Sequence, residues 1–519
     1  MKSFLGFLMH KSAGTFFLLM LLPSLLIGCA SGHINYPRNF SEVITDTRDT
    51  TLGQAVTKWH KEHPDVSGFY PLISGNDAFG ARLTLIDLAE SSIDAQYFLM
   101  KNDMAGLIFV GKLLEAADRG VRVRFLLDDI FTSVDDETFL VINQHPNIEM
   151  RLFNPVGRGG SSLLNFLGDF DRANRRMHNK SFTVDNQVSI VGGRNIADEY
   201  FELKKATEFS DLDILGIGPV AGDIADTFDR FWNHELSVPV EAFDSDKKER
   251  DLARARLEFS EELHREAESV YIRTIGSELI QDLLNDRIPL FPARAEVITD
   301  DPEKLLNKVS SDHQVLVTRM SEVIADANEE VIVVTPYLIP GKEGIEFWDY
   351  VTDKDVRVIM LTNSLASNNH IPVHAAYTRY RHRLIRAGVD LYEMRVDATE
   401  VPEDRDEEAY ESVTLHIKAI MVDRRYLFIG SLNLDPRSID INTEMGVLID
   451  SSDMSERIVE PFLDILPRQS YRVIEDNNGS LRWYGIIDGK EVVENSEPQA
   501  GTWRRFKAFI SRILPESQL

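Results

Sequence analysis

The 519-residue chain is short of cysteine, of basic residues and of long apolar runs. Its single cysteine is Cys29. One cysteine excludes an internal disulfide and any zinc site built on cysteine ligands. Lysine and arginine total 56 against 84 aspartate and glutamate, leaving a formal net charge of -28. That balance argues against a nucleic-acid binder, which needs a basic footprint to displace counterions. A membrane surface stays open as a partner, because local basic patches act against a negative background. The one strongly apolar run, Phe16 to Ile27, falls short of the ~20 residues that span a bilayer comfortably.

What is present begins with that run. Lys2 and Lys11 precede it and Gly28-Cys29 follow, the layout of a secretory leader. Leu26-Ile27-Gly28-Cys29 resembles a bacterial lipobox, in which the cysteine is lipidated and becomes the mature N-terminus. The other reading is an uncleaved signal anchor. Under either, the lysines hold the N-terminus in the cytoplasm and the main body is exported to the cell envelope. The chain then divides into a leader (1–29), a linker and entry segment (30–66), an α/β domain (67–240), a charged helical connection (241–310), a second α/β domain (311–475) and a C-terminal tail (476–519).

The two α/β domains follow the same order of elements. Strand-like "SSIDAQYFLM" (91–100) leads to an amphipathic helix at 105–120 capped by Gly120, then to strand "VRVRFLLDD" (121–129). In the second half "EEVIVVTPYLIP" (329–340) matches the first strand and sets Tyr337 opposite Tyr97. There "VRVIMLTNS" (356–364) matches the second strand, and "VDLYEMRV" (389–396) matches 148–156. The repeat is far too long for a solenoid. It predicts two similar α/β domains packed about a pseudo-two-fold axis.

Each half carries one polar constellation. "HNKSFTVD" begins at His178 and "HIKAIMVD" at His416, 238 residues apart. Both read as strands, so side chains two apart share a face ~7 Å apart. His178 projects with Lys180, and His416 with Lys418. An imidazole beside an ammonium suits a phosphodiester: lysine neutralises the non-bridging oxygens while histidine serves as nucleophile or proton donor. Glycines at 192–193 and 430 let backbone approach closely, and Asn195 and Asn433 offer neutral amide donors. A metal is not expected, since lysine is no ordinary ligand and no third ligand recurs at fixed spacing. Displacement at phosphorus needs an attacking group on one side and an acid for the leaving oxygen on the other. Two histidines brought face to face supply both, so each copy is half of one site.

The paired H-x-K-x4-D segments, each followed by a Gly-rich turn ending in Asn, resemble the phospholipase D superfamily over about residues 67–470. "DFDRANRRMHNKSFTVDNQVSIVGGRNIADEYF", "GSLNLDPRSIDINTEMGVLID" and "LTNSLASNNHIPVHAAYTRYRHRLIRAGVDLYE" are similar to bacterial C-type cardiolipin synthases. The resemblance implies a phosphohistidine mechanism without cofactor or metal. It makes His178 the nucleophile and His416 the general acid, then base. Lys180, Lys418, Asn195 and Asn433 hold the phosphate, with Gly193 and Ser431 in two non-equivalent phosphate turns. Asp185 and Asp423 complete the motifs at turn positions and count as more structural than catalytic. Glu444 in the second half and Asp213, in preference to Asp211, in the first are the acids expected to orient the histidines.

The implied activity is a phosphatidyl transferase that makes cardiolipin from phosphatidylglycerol and a second phospholipid, either phosphatidylethanolamine or phosphatidylglycerol. A hydrolytic phospholipase D, with water as acceptor, shares the chemistry up to the intermediate. A non-catalytic envelope lipoprotein is the reading from a different class, and two intact motifs count against it. His374, Tyr377 and Arg381 lie at helical spacing and either line an acceptor pocket or form an ordinary polar helix face. At the C-terminus "WRRFKAFISRIL" makes a basic amphipathic helix. Such a helix lies on anionic lipid or docks on its own domain.

Overall fold

The computed structural model describes residues 36–158, 168–203, 208–244, 251–257, 261, 279–285, 287–306, 314–398 and 412–519. The expected leader with Cys29 and much of the charged connection lie outside the described residues. Among the described residues no helix is long and apolar enough to cross a membrane.

The first half holds β1 (Ser67–Leu72), β2 (Ser92–Tyr97), β3 (Arg122–Asp128), β4 (Ile148–Phe153), β5 (Ser181–Val184), β6 (Val188–Gly192), β7 (Glu208–Ser210), β8 (Asp213–Ile217) and β9 (Ser237–Pro239). The second holds β10 (Phe291–Thr299), β11 (Glu330–Val334), β12 (Arg357–Asn363), β13 (Asp390–Met394), β14 (Val413–Leu415), β15 (Ala419–Val422), β16 (Tyr426–Gly430), β17 (Met445–Asp450), β18 (Ser470–Glu475), β19 (Leu481–Ile487) and β20 (Lys490–Glu494). The principal helices are α1 (Thr51–Glu62), α2 (Gly75–Leu88), α3 (Met104–Asp118), α4 (Pro219–Trp232), α5 (Val315–Ala325), α6 (Gly341–Thr352), α7 (Ile371–Tyr377), α8 (Ser452–Gln469) and α9 (Thr502–Ser511).

In each half three parallel strands, β2-β3-β4 and β11-β12-β13, meet an antiparallel hairpin, β5-β6 and β15-β16. Both faces of the parallel strands are covered, so β3 and β11 carry apolar runs at Phe125–Leu127 and Val331–Val334, while β2 alternates Ile93, Ala95 and Tyr97 with buried polar Asp94 and Gln96. Local chemistry fixes their connections. Asp103 caps α3 by accepting from Gly106 N–H at 3.2 Å, and Gly120, at φ 99°, ends it in the left-handed conformation that glycine adopts freely.

The 241–310 segment departs from the expected helical connection. Its last part is β10, a strand of alternating exposure that serves both halves. Ala293 to Phe291 pair with β1, and Arg294 to Thr299 pair with β17. Eighteen strands thereby join into one continuous sheet. The inner faces of the halves share a core, in which Val191, Ile214 and Ile224 meet Ile332, Ile359 and Val447. Truncating such a fully buried isoleucine typically costs ~2–5 kcal/mol. The C-terminal tail is likewise part of the fold, since β19 and β20 extend the second sheet through β18.

The expected match of Tyr337 with Tyr97 is corrected by the pairing. Met100 bridges Ile196 as Leu338 bridges Leu434, which aligns Tyr97 with Thr335 and Leu99 with Tyr337. Matching tyrosine to tyrosine slips the register by two residues, a slip that leaves side chains on the same face and so leaves the apolar pattern unchanged.

Candidate active site

The two motif hairpins are built alike. Asp185 and Asn186, and Asp423 and Arg424, all have positive φ, in three-residue turns that join the paired Val184 and Val188 and the paired Val422 and Tyr426. The Asp185 carboxylate accepts from the backbone N–H groups of Glu90, Ser91 and Ser92, and Asp423 from those of Asn328, Glu329 and Glu330. The motif aspartates therefore pin each turn to the start of β2 or β11. They do not reach the histidines.

At the other end of each hairpin the halves exchange partners. His178 N–H donates to Thr443 O at 2.9 Å, and Thr443 N–H donates back to Arg176 O at 3.0 Å. His416 N–H donates to Ser210 O at 2.7 Å, where β14 runs parallel to β7. Each exchange delivers the next residue's carboxylate to the histidine of the opposite half. His178 Nδ1 is 2.7 Å from Glu444 Oε2, and His416 Nδ1 is 2.6 Å from Asp211 Oδ2. With the carboxylate ionised, Nδ1–H is the donor and Nε2 is left to carry the reacting lone pair.

Asp211, not Asp213, is thus the partner of His416. Asp213 forms a fully buried ion pair with Arg82 at 2.8 Å. Hairpin register supplies the reason. Gly192 pairs with Asp213 and Gly430 with Gly446, so Asp211 is the residue equivalent to Glu444.

Lys180 and Lys418 are each 1% exposed, and each folds back to donate to the carbonyl of its own histidine, at 2.6 and 2.5 Å. Burial lowers Lys180 to about 7 and Lys418 to about 8, despite the pull of Glu444 and Asp211. Two buried cations depressed in this way form a site short of negative charge. Burial, reinforced by Lys180 and Lys418, holds His178 well below its ordinary value. His416 is brought to about 4 by burial and Lys418, against Asp211.

The two carboxylates differ. Burial pushes Glu444 up to about 7, opposed by Lys180 and by the Ser431 hydroxyl. Burial acts on Asp211 in the same sense, but His416 and Lys418 outweigh it and hold that carboxyl below the usual range. The turn residues account for part of the contrast. Ser431 Oγ donates to Glu444 Oε2, so this hydroxyl serves the carboxylate. Its counterpart Gly193 leaves room for Asp211, since a Cβ there would lie 2.2 Å from Asp211 Oδ1. Asn195 bonds Leu99 N–H and the Tyr200 hydroxyl, while buried Asn433 keeps an unpaired Oδ1.

Sequence reasoning missed the aromatic walls. Phe98 meets His178 edge-on at 4.8 Å, Phe209 stacks on His416 at 5.4 Å, and Tyr200 meets it edge-on at 5.2 Å. Periodicity marks such residues only as apolar.

His374, Tyr377 and Arg381 do not line an acceptor pocket. All three are buried, and Arg381 bonds Glu393 at 2.7 Å and Glu497 at 2.6 Å. Tyr377 donates to Glu393, and His374 lies beside Glu497. The cluster ties α7 and the C-terminal tail to β13. Helical spacing showed the shared face, but its acidic partner lies 116 residues away from Arg381.

Comparison with known proteins agrees with this architecture. The family described as "Cardiolipin synthase, PLD-like domain" matches residues 83–232 and 320–466. Cardiolipin synthase C of Escherichia coli (strain K12) is 37% identical over 468 residues, covering 89% of this chain and 98% of that protein. An uncharacterized protein of Helicobacter pylori (strain ATCC 700392 / 26695) is 32% identical over 508 residues, 97% of this chain and 99% of its own. In fold, the crystal structure of phosphatidylserine synthase from Haemophilus influenzae Rd KW20 is similar with a TM-score of 0.54 at 12% identity, over 90% of this chain and 100% of that one. Two matched segments in one chain, each supplying a histidine to a shared centre, place the protein in the phospholipase D-like cardiolipin synthase family.

Proposed function

We propose that the protein is a phosphatidyltransferase that makes cardiolipin from phosphatidylglycerol and a second phospholipid through a phosphohistidine on His178. The observation that carries this reading is the pair of histidine–carboxylate hydrogen bonds exchanged between the halves around two buried lysines. A phosphodiester brings the negative charge that Lys180 and Lys418 lack, and its arrival favours their protonated forms.

In the first step Nε2 of His178 attacks phosphorus. The P–O bond to the head-group alcohol breaks as His416 gives that oxygen a proton. Asp211, ionised more readily than Glu444, stabilises the imidazolium of His416 before that transfer. In the second step a hydroxyl of phosphatidylglycerol attacks phosphorus and gives its proton to His416. The P–N bond breaks and His178 is regenerated. Glu444 holds the His178 ring in line throughout. Asn195 and Asn433 flank the phosphate in this reading, and the lysines supply its counter-charge.

The donor is phosphatidylethanolamine or a second phosphatidylglycerol. Lipid modification of Cys29 at the leader's end fits an envelope enzyme whose substrates are membrane lipids. Purified protein given radiolabelled phosphatidylglycerol, with and without phosphatidylethanolamine, tests the reading by product analysis. Labelled cardiolipin is the expected product. Phosphatidic acid alone would convert the reading to hydrolysis, and no turnover of either mixture would refute it.

A further inference from the structure

The C-terminal helix has two faces with different fates. One is docked: Ala508 is buried against Leu365 and Ile371, and the Arg504 guanidinium donates to the carbonyls of Leu365 and Asn368. The other is bare. Trp503 is 65% exposed, Phe509 67% and Ile513, in the turn that follows, 85%, with Phe506, Ile510 and Leu514 each near half. A contiguous bare patch of this size is uncommon on a protein that works in water alone. The same stretch inverts the chain's charge. Residues 502–519 carry Arg504, Arg505, Lys507 and Arg512 against one acid, Glu516, in a protein of net charge -28.

The bare face borders a groove of about 530 Å³ between α9 and the start of α7, lined by Trp503, Phe506 and Ile510 on one side and by Asn369, His370 and Pro372 on the other. Tyr337 backs the groove's inner wall. Asn369 accepts from the Tyr337 hydroxyl at 2.9 Å, and the Tyr337 ring lies 6.2 Å from His370. Apolar surface and basic charge thus coincide at one corner of the fold.

We propose that the bare face of α9, with the groove beside it, is the surface by which this protein lies on an anionic phospholipid bilayer. Trp503, Phe506 and Phe509 enter the acyl boundary while Lys507 and Arg505 meet the phosphates, the arrangement of an interfacial amphipathic helix. The bilayer contact does not rest on the lipid substrate proposed above.

The test uses the full chain carrying His178→Ala, so that lipid is not consumed, and vesicles of phosphatidylglycerol and phosphatidylcholine brominated on the acyl chains. Trp503 is the most exposed of the five tryptophans, three of which are buried. Tryptophan emission is expected to be quenched, most of that quenching to vanish in Trp503→Phe, and phosphatidylcholine alone to quench less. Equal quenching with and without Trp503, or none in either, overturns the proposal. In the chain with His178 intact, Phe509→Asp with Ile513→Asp is expected to lower the ratio of turnover on vesicles to turnover on monomeric short-chain lipid about tenfold or more. An unchanged ratio overturns it. So does a concentration-dependent dimer that the double variant dissolves, since the face then belongs to a second copy. Absence of turnover on every lipid would sink the transferase reading while leaving the quenching result to judge the bilayer contact.

Discussion

Asp211→Asn and Asp213→Asn, two residues apart, are expected to fail in opposite ways. Asp211 meets His416 Nδ1 at 2.6 Å and is held ionised by that histidine and Lys418. A hydrogen bond to a charged group contributes ~1.5–3 kcal/mol. Since ~1.4 kcal/mol is tenfold in rate, loss of that support for the His416 imidazolium alone lowers turnover by ~10–10². An asparagine can also present its NH₂ to Nδ1 and fix the wrong tautomer, and the corresponding change in hydrolytic triads costs ~10⁴. The expected loss for Asp211→Asn is therefore ~10²–10⁴ in turnover, with unfolding little changed. Asp213 instead closes a fully buried pair with Arg82, which also donates to the Tyr97 hydroxyl at 3.0 Å. Breaking a buried pair from one side costs ~3–5 kcal/mol. That variant should lose thermal stability first, and its folded fraction should retain turnover. Specific activity per folded molecule, beside thermal denaturation followed by circular dichroism, separates the two. Turnover within threefold of the parent in Asp211→Asn would refute the assignment, as would selective loss of activity in Asp213→Asn.

The histidines can be parted by leaving group. On a nitrophenyl phosphodiester, His416→Ala should release a burst of nitrophenol and trap an acid-labile adduct on His178, whereas His178→Ala should show neither; an adduct on the His416 peptide would reverse the roles. The lysines set a pH dependence. With Lys180 near 7 and Lys418 near 8 when folded, against about 10.5 unfolded, the unfolded chain binds more protons between these limits, so ligand-free stability should rise with pH across that window. Affinity for inorganic phosphate should fall over the same range, and Lys180→Met should raise ligand-free stability at pH 6 while abolishing phosphate protection in a thermal shift assay. Turnover should survive exhaustive chelation with EDTA, and a complete loss restored by magnesium or zinc would mean that the lysines are not the groups that neutralise the phosphate.

The parts that could be read from sequence are those with a short-range period. The parallel strands β3, β11 and β12 announce themselves as buried apolar runs, β2 by its alternation, and the two His-x-Lys pairs by a spacing of two. What escaped depends on pairing between distant segments. Asp211, just before β8, and Asp213, its first residue, are two apart in sequence, so alternation cannot choose between them, and only the pairing of Gly192 with Asp213 does so. β10 was hidden in a charged stretch because it is half exposed, with Arg294 and Glu296 bare beside buried Ala293 and half-buried Ala295 and Val297. The His374–Tyr377–Arg381 face looked like a pocket wall because Glu393 and Glu497, which neutralise it, sit on other elements.

Because each histidine takes its carboxylate from the other half, lesions group by dyad and not by domain. His178→Ala and Glu444→Gln disable the same dyad and should combine with little further loss, although 266 residues separate them. Drift in residues 208–211 is answerable to residues 413–418, and not to the matching segment of its own repeat. A half exchanged for that of a relative puts both hydrogen bonds on trial at once, so the two repeats are inherited as one working unit.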